Sequence, residues 1–221
     1  MHNIGHFHLW KKGIQHGDIS LGNLMWDDQR KVGVLNDFDL ARLVDQTQAG
    51  GQDNPGTLPF MALDLLSGEG IPCHYQHEAE SFAWILIYLC LTTFEGKDGK
   101  NYTMDPHPLA EWLQGQRISL HFKLGLQWSE YKNPKSLPAY PNTKPLAKAL
   151  HKFWVNQYNT RHSGEAEGMD DDRTLPYKEP NDEEVFQELI RIHSKVLQSL
   201  EKTKGVVVRL EKGYEDLGWF D

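Results

Sequence analysis

The alternation of apolar and polar residues along the chain predicts a mainly α-helical protein with a small β-hairpin near its N-terminus. The clearest helix covers residues 77–93, where apolar side chains occupy nearly every face, as in a helix at the centre of a core. Two short apolar runs, at 24–26 and 32–35, are separated by the polar sequence DDQRK, which is typical of a hairpin with a polar turn.

Glycine, proline and small polar residues divide the rest of the chain. Residues 6–14 have the pattern of a helix end that is stopped by Gly13, and residues 63–66 that of a short helical turn. Residues 42–58 contain Gln, Thr, Gly, Asn and Pro with almost no periodicity, so we expect a loop there. Four further helices are predicted at 108–114, 118–131, 144–159 and 182–202.

Composition and charge narrow the class of protein. Hydrophobic residues make up 39% and charged residues 24% of the 221 residues, as in an ordinary globular protein. The net charge of -8 argues against nucleic-acid binding, and the longest apolar stretch, 82–94, is too short to span a membrane. Because the sequence shows no secretory signal and only two cysteines, we expect an intracellular protein, cytoplasmic or nuclear, without nucleic-acid or membrane partners.

Two short segments carry the candidate chemistry. The sequence HGDISLGN has the spacing H-x-D-x-x-x-x-N and contains Asp18 and Asn23, whereas Asp37 opens the sequence DFD after the predicted hairpin. A carboxylate such as Asp18 can accept the proton of a hydroxyl that attacks a phosphate. The hairpin brings Asn23 and Asp37 to the same end of two paired strands, where their oxygens can bind Mg²⁺.

These segments resemble the catalytic loop and the D-F-G segment of protein kinases. GTLPFMALDLL at 56–66 is similar to the end of a kinase activation segment, and HEAESFAW at 77–84 is similar to the start of the central helix of the kinase C-lobe. Over residues 5–95 the motifs D-I-S, D-F-D-L-A, G-T-x-P-F-M-A and E-S-F-x-W look most like the fungal-type protein kinase family.

The resemblance implies a protein-kinase C-lobe fold and phosphoryl transfer of the serine/threonine type. It assigns Asp18 as the catalytic base and Asn23 and Asp37 as the ligands of Mg²⁺, through which ATP is bound. Mg²⁺ and ATP are therefore the expected cofactors. The sequence names neither the protein substrate nor a partner protein.

The catalytic loop departs from the kinase pattern at two positions. Gly17 replaces the arginine that usually receives an activation-loop phosphate, so activation by phosphorylation at Thr47 or Thr57 is not expected. Ser20 replaces the lysine two residues beyond the catalytic aspartate.

Two acidic positions of the kinase pattern keep an acidic residue but change its length. Glu78 takes the place of the aspartate that usually opens the central helix, and Asp64 takes the place of the A-P-E glutamate. Both keep the charge, and each changes the reach of the carboxylate by one methylene.

The chain is expected to be a C-lobe without an N-lobe, since only 15 residues precede His16 and no G-x-G-x-x-G or V-A-I-K-like segment occurs. Phosphoryl transfer in this chain alone is then expected to be weak or absent, because positioning of the ATP phosphates supplies most of the catalysis. We predict a C-lobe at 1–160, a mobile acidic loop at 161–181, and a helix and tail at 182–221 packed on the same domain.

Two other functions fit the sequence. A non-catalytic, kinase-derived binding module would offer the surface around residues 16–39 to a partner. A small-molecule phosphotransferase of the aminoglycoside or choline kinase kind would also carry H-G-D-x-x-x-x-N.

Possible metal ligands occur in three places. They are Cys73, His74 and His77, which we expect to be surface residues before a helix, a histidine cluster at positions 2, 6 and 8, and an acidic run at 165–172. None has the ligand number or order of a zinc or calcium site.

Overall fold

The central helix, α3 (Tyr75–Thr92), runs through the core of the computed structural model and is buried over most of its length. The structure describes residues 2–44, 56–68, 71–98, 100–103, 109–128, 143–162 and 181–204. The predicted helix at 77–93 is confirmed and begins two residues earlier. The residue before the helix is His74 and not the usual Ser, Thr or Asp. The amide of His74 donates to Nδ1 of His77 at 3.0 Å, so a histidine side chain satisfies this end of the helix.

Five other α-helices occur in the described residues. They are α1 (His2–Lys11), α2 (Leu63–Ser67), α4 (Gln116–Leu124), α5 (Lys144–His162) and α6 (Asp182–Lys204). Three 3₁₀ turns lie at Leu21–Asn23, Leu58–Phe60 and Ala110–Leu113. The helical predictions are therefore confirmed in outline, although the 3₁₀ turn Ala110–Leu113 stands where a helix was predicted at 108–114, and the helix predicted at 118–131 ends at Leu124.

Within the described residues, the strands form three two-stranded antiparallel sheets rather than the single predicted hairpin. The hairpin itself is confirmed as β2 (Leu24–Asp27) paired with β3 (Val32–Leu35). The other pairs are β1 (Ile14–Gln15) with β4 (Arg42–Leu43), and β5 (Thr93–Glu95) with β6 (Asn101–Thr103). Residues 14 and 42–43 were expected in a helix end and a loop, and that was wrong because strands of two residues show no alternation.

Two apolar clusters hold these elements together. One joins α1, α3, α5 and α6 and includes Phe7, Tyr75, Trp154 and Leu189. The other ties the loop after β1 to α3 and the 3₁₀ turns through Ile19, Phe60, Leu63, Trp84 and Trp112. The loop that carries the candidate chemistry therefore rests directly on the core.

Some predictions concern residues outside the described ranges. They include Thr47, most of the acidic loop at 161–181, its possible calcium site at 165–172, and the tail beyond residue 204. Within the described part of the chain, no helix is both long enough and apolar enough to cross a membrane.

Candidate functional site

The catalytic-loop and D-F-D segments meet at one end of the β2–β3 hairpin. Leu24 pairs with Leu35 at that end, and the amide of Asn36 donates to the carbonyl of Asn23 at 2.9 Å. Asn23 and Asp37 consequently flank the same end of the two strands, as the sequence pattern required.

Asp18 is held by three donors from two parts of the chain. Its Oδ1 accepts hydrogen bonds from the amide and hydroxyl of Thr57, at 2.9 and 2.8 Å, and its Oδ2 accepts one from Nδ2 of Asn23 at 3.2 Å. Nδ2 of Asn23 also donates to the Asp18 carbonyl at 3.0 Å. The carboxylate is thus fixed in one orientation before any ligand arrives.

Thr57 is a site residue that the sequence analysis did not identify. Its G-T-x-P-F-M-A motif resembles the end of a kinase activation segment, but nothing in the motif shows a bond to a carboxylate 39 positions earlier. Only the fold brings the two together.

Asp37 lies on the exposed side of the same site. Its φ of 61° is in the left-handed region, and its Oδ1 lies 3.5 Å from the amide of Asp39. Aspartate tolerates this region better than most residues, and such strained positions cluster at functional sites.

His16 connects the two segments. Its Nε2 donates to the carbonyl of Asn36 at 3.0 Å, its Nδ1 accepts from the amide of Asp18 at 3.2 Å, and its ring packs against Phe38 with 4.7 Å between centroids. The two hydrogen bonds together require the tautomer with the proton on Nε2.

Glu78, on α3, holds the backbone of the loop that carries Asp18. Its Oε1 accepts from the amide of Gly17 at 2.5 Å, and its Oε2 accepts from the amide of His16 at 3.2 Å and from Nε2 of His6 at 2.7 Å. Burial raises the pKa of Glu78, but these hydrogen bonds outweigh burial and hold the pKa below its usual value. His6, one of the possible metal ligands named above, is therefore a buried partner of Glu78.

Gly17 cannot be replaced without strain at this anchor. Its φ is 86°, and a Cβ placed there would lie 2.6 Å from the carbonyl oxygen of Leu40. The position usually taken by arginine in kinases thus requires glycine in this chain, because the loop and the segment after Asp37 approach closely.

Asp64 forms the second buried anchor. Arg161 Nη2 lies 2.6 Å from its carboxylate, His162 Nε2 lies 3.1 Å away, and His77 Nε2 lies 3.4 Å away. Burial raises the pKa of Asp64, but the hydrogen bond with His77 and the charge of Arg161 lower it to about 2. The helix α2 is thereby tied to the end of α5.

His77 is a core residue, so its expected place on the surface is wrong. It is 1% exposed and engaged with Asp64, and burial lowers its pKa. Among the described residues, no group of three or more His, Cys, Asp or Glu side chains is arranged to hold a metal ion.

Residues 4–90 match the family model of the fungal protein kinases. The matched range contains both loops, Thr57 and Glu78, and it ends within α3. The resemblance to this family is therefore confirmed over residues 4–90. No curated protein gives a significant match to the chain.

Proposed function

We propose that this chain is a protein-kinase C-lobe and that its loops support serine/threonine-type phosphoryl transfer from ATP to a protein hydroxyl. The observation that supports this most directly is the orientation of Asp18 by Thr57 and Asn23. An oriented carboxylate can accept the hydroxyl proton as the oxygen attacks, and such general-base help is worth about 10²–10⁴ in rate.

The residues at the end of the hairpin suit Mg²⁺. Nδ2 of Asn23 is used by Asp18, which leaves the amide oxygen for a cation, and Asp37 supplies an exposed carboxylate. Magnesium prefers such oxygen ligands. When bound with ATP, it would neutralise charge on the phosphates, while Asp18 orients the acceptor.

The rate is expected to be low for these 221 residues. The sequence contains no glycine-rich phosphate loop and no V-A-I-K-like lysine, so the ATP phosphates lack most of their usual positioning. The assay therefore calls for millimolar Mg²⁺ and ATP and long incubation.

A comparison of three variants tests the proposal. ADP formation is measured with a panel of serine and threonine peptides for the wild type, Asp18→Asn, Asp37→Asn and Asp39→Asn. We expect the first two substitutions to lower the rate about 10²-fold or more. The third removes an exposed carboxylate of the same D-F-D segment and should change the rate less than threefold.

Other results would point elsewhere. Equal rates for the wild type and Asp18→Asn would contradict the role of Asp18. Transfer to small hydroxyl compounds but not to peptides would favour a small-molecule phosphotransferase.

A second candidate function is a non-catalytic binding module. The β2–β3 hairpin leaves Met25 and Trp26 54% and 57% exposed, and Phe38 and Leu40 beside it are also exposed. Met25 and Trp26 are consecutive in β2 and point to opposite faces, so both faces of the hairpin expose apolar surface that a partner could cover. Absence of ADP formation with every acceptor would overturn the enzymatic proposal and favour this module.

A further inference from the structure

A buried lysine lies beneath the segment that carries Thr57. Lys123, on α4, is 0% exposed, and its Nζ donates to the carbonyl oxygen of Met61 at 2.6 Å. The ammonium lies 4.6 Å from the ring centroid of Trp84 and 5.4 Å from that of Trp112. Lysine is almost never fully buried without a specific partner, so this placement calls for an explanation.

Glu80 binds the backbone of the same segment two residues further along, at Leu63. It is also 0% exposed, and its Oε1 accepts hydrogen bonds from the amide of Leu63 at 3.0 Å and from Nε1 of Trp84 at 2.8 Å. Burial lowers the pKa of Lys123 and raises that of Glu80, and the opposite charge of each partner counteracts the shift. Lys123 and Glu80 thus hold the carbonyl of Met61 and the amide of Leu63.

Backbone hydrogen bonds connect the segment that Lys123 and Glu80 hold to the contact between Thr57 and Asp18. The amide of Met61 donates to the carbonyl of Leu58 at 3.3 Å, and that of Phe60 donates to the carbonyl of Thr57 at 2.8 Å. This short 3₁₀ turn leads back from the held carbonyl to Thr57, which donates both its amide and its hydroxyl to Asp18.

We propose that Lys123, together with Glu80, is a positioning residue that sets the Thr57–Asp18 contact by fixing the backbone of residues 61–63. Lys123 touches no reacting atom and acts through the 3₁₀ turn. Its meaning for catalysis rests on the proposed phosphoryl transfer, but its effect on the Thr57–Asp18 contact does not.

Amide hydrogen exchange, followed by NMR on the full chain, tests this directly. In Lys123→Met the side-chain volume is kept and the bond to the Met61 carbonyl is lost. The amide of Thr57 should then exchange at least about tenfold faster, whereas amides in the middle of α3 should keep their wild-type rates. Arg117→Met, an exposed substitution on the same helix, is the matched control and should leave Thr57 unchanged.

A double variant keeps the test decisive if Lys123→Met alone unfolds the chain. Glu80→Gln with Lys123→Met removes both buried ionisable groups and keeps an acceptor for Leu63 and Trp84, so the fold is expected to survive. Fast exchange at Thr57 in the double variant would support the proposal, and wild-type exchange there would overturn it.

Catalysis provides a separate readout. Where the wild type transfers phosphate, Lys123→Met should lower kcat for peptide phosphorylation and leave the ATP KM unchanged, because the contact that orients Asp18 is loosened. An unchanged kcat, or a raised ATP KM, would contradict the positioning role. Complete absence of transfer in the wild type would refute the proposed function, while the exchange experiment would still decide on Lys123.

Discussion

Asp18 and Asp37 belong to one site, but the fold holds them in very different ways. Asp18 accepts three hydrogen bonds, and its loop is anchored on the buried carboxylate of Glu78. Asp37 is exposed and has one long contact with the amide of its neighbour Asp39. The comparison indicates that the fold preorganises Asp18, the proposed base, through contacts with the core, whereas it holds Asp37, the proposed metal ligand, by few contacts.

The largest expected effect comes from removing the buried carboxylate of Asp64, which ties α2 to the end of α5. In Asp64→Ala the guanidinium of Arg161 loses its buried partner, and removal of one member of a buried ion pair destabilises by about 3–5 kcal/mol. Urea unfolding should show this loss. Asp28→Ala, which breaks an exposed pair with Lys31, should change the free energy of unfolding by less than about 1 kcal/mol. Similar losses in both variants would contradict the comparison.

Gly17→Ala tests the close contact between the two sides. The φ of 86° and the approach of the Leu40 carbonyl should together destabilise by about 2–3 kcal/mol. Gly68→Ala is the matched control, because Gly68 has a φ of 80° but open space around its Cβ position, and it should lose about 1 kcal/mol. Equal losses in thermal or urea unfolding would show that the Leu40 contact is unimportant.

Acid should weaken the buried contacts of Asp64 with α3 and α5. The pKa of Asp64 is depressed to about 2 in the folded chain, against an ordinary value near 3.8. Its stabilisation is therefore complete above about pH 4 and is lost as the pH falls towards 2, which corresponds to roughly 2 kcal/mol. The difference in unfolding free energy between the wild type and Asp64→Asn should shrink by that amount between pH 5 and pH 2. A constant difference would contradict the depressed pKa.

The smallest expected change in stability is at Asp37. Asp37→Asn keeps a residue that tolerates the left-handed region and removes one exposed charge, so the free energy of unfolding should change by less than about 0.5 kcal/mol. A loss above about 1.5 kcal/mol in urea unfolding would show that Asp37 is a structural residue and would remove the contrast with Asp18.

Local patterns in the sequence were sufficient for much of this architecture. The hairpin, α3 and the short α2 each follow from apolar periodicity and turn residues within about 20 positions. The placement of Asn23 and Asp37 followed from the hairpin alone.

The remaining contacts depend on partners distant in the chain. Thr57 reaches Asp18, His6 reaches Glu78, and Arg161 reaches Asp64, across 39, 72 and 97 positions. No periodicity encodes such pairings, because they arise only when α1, α3 and α5 pack together. The burial of Lys123 could not be predicted either, because a lysine on an amphipathic helix is ordinarily solvated.

The left-handed backbone at Asp37 has a consequence for mutational scanning. Alanine at this position would remove the carboxylate and impose backbone strain at once, so its score would mix chemistry with folding. Asparagine and glycine both accept the conformation and lack the charge, whereas glutamate keeps the charge and resists the conformation. In a saturation library, the ranking of these three substitutions separates what the side chain does from what the backbone needs.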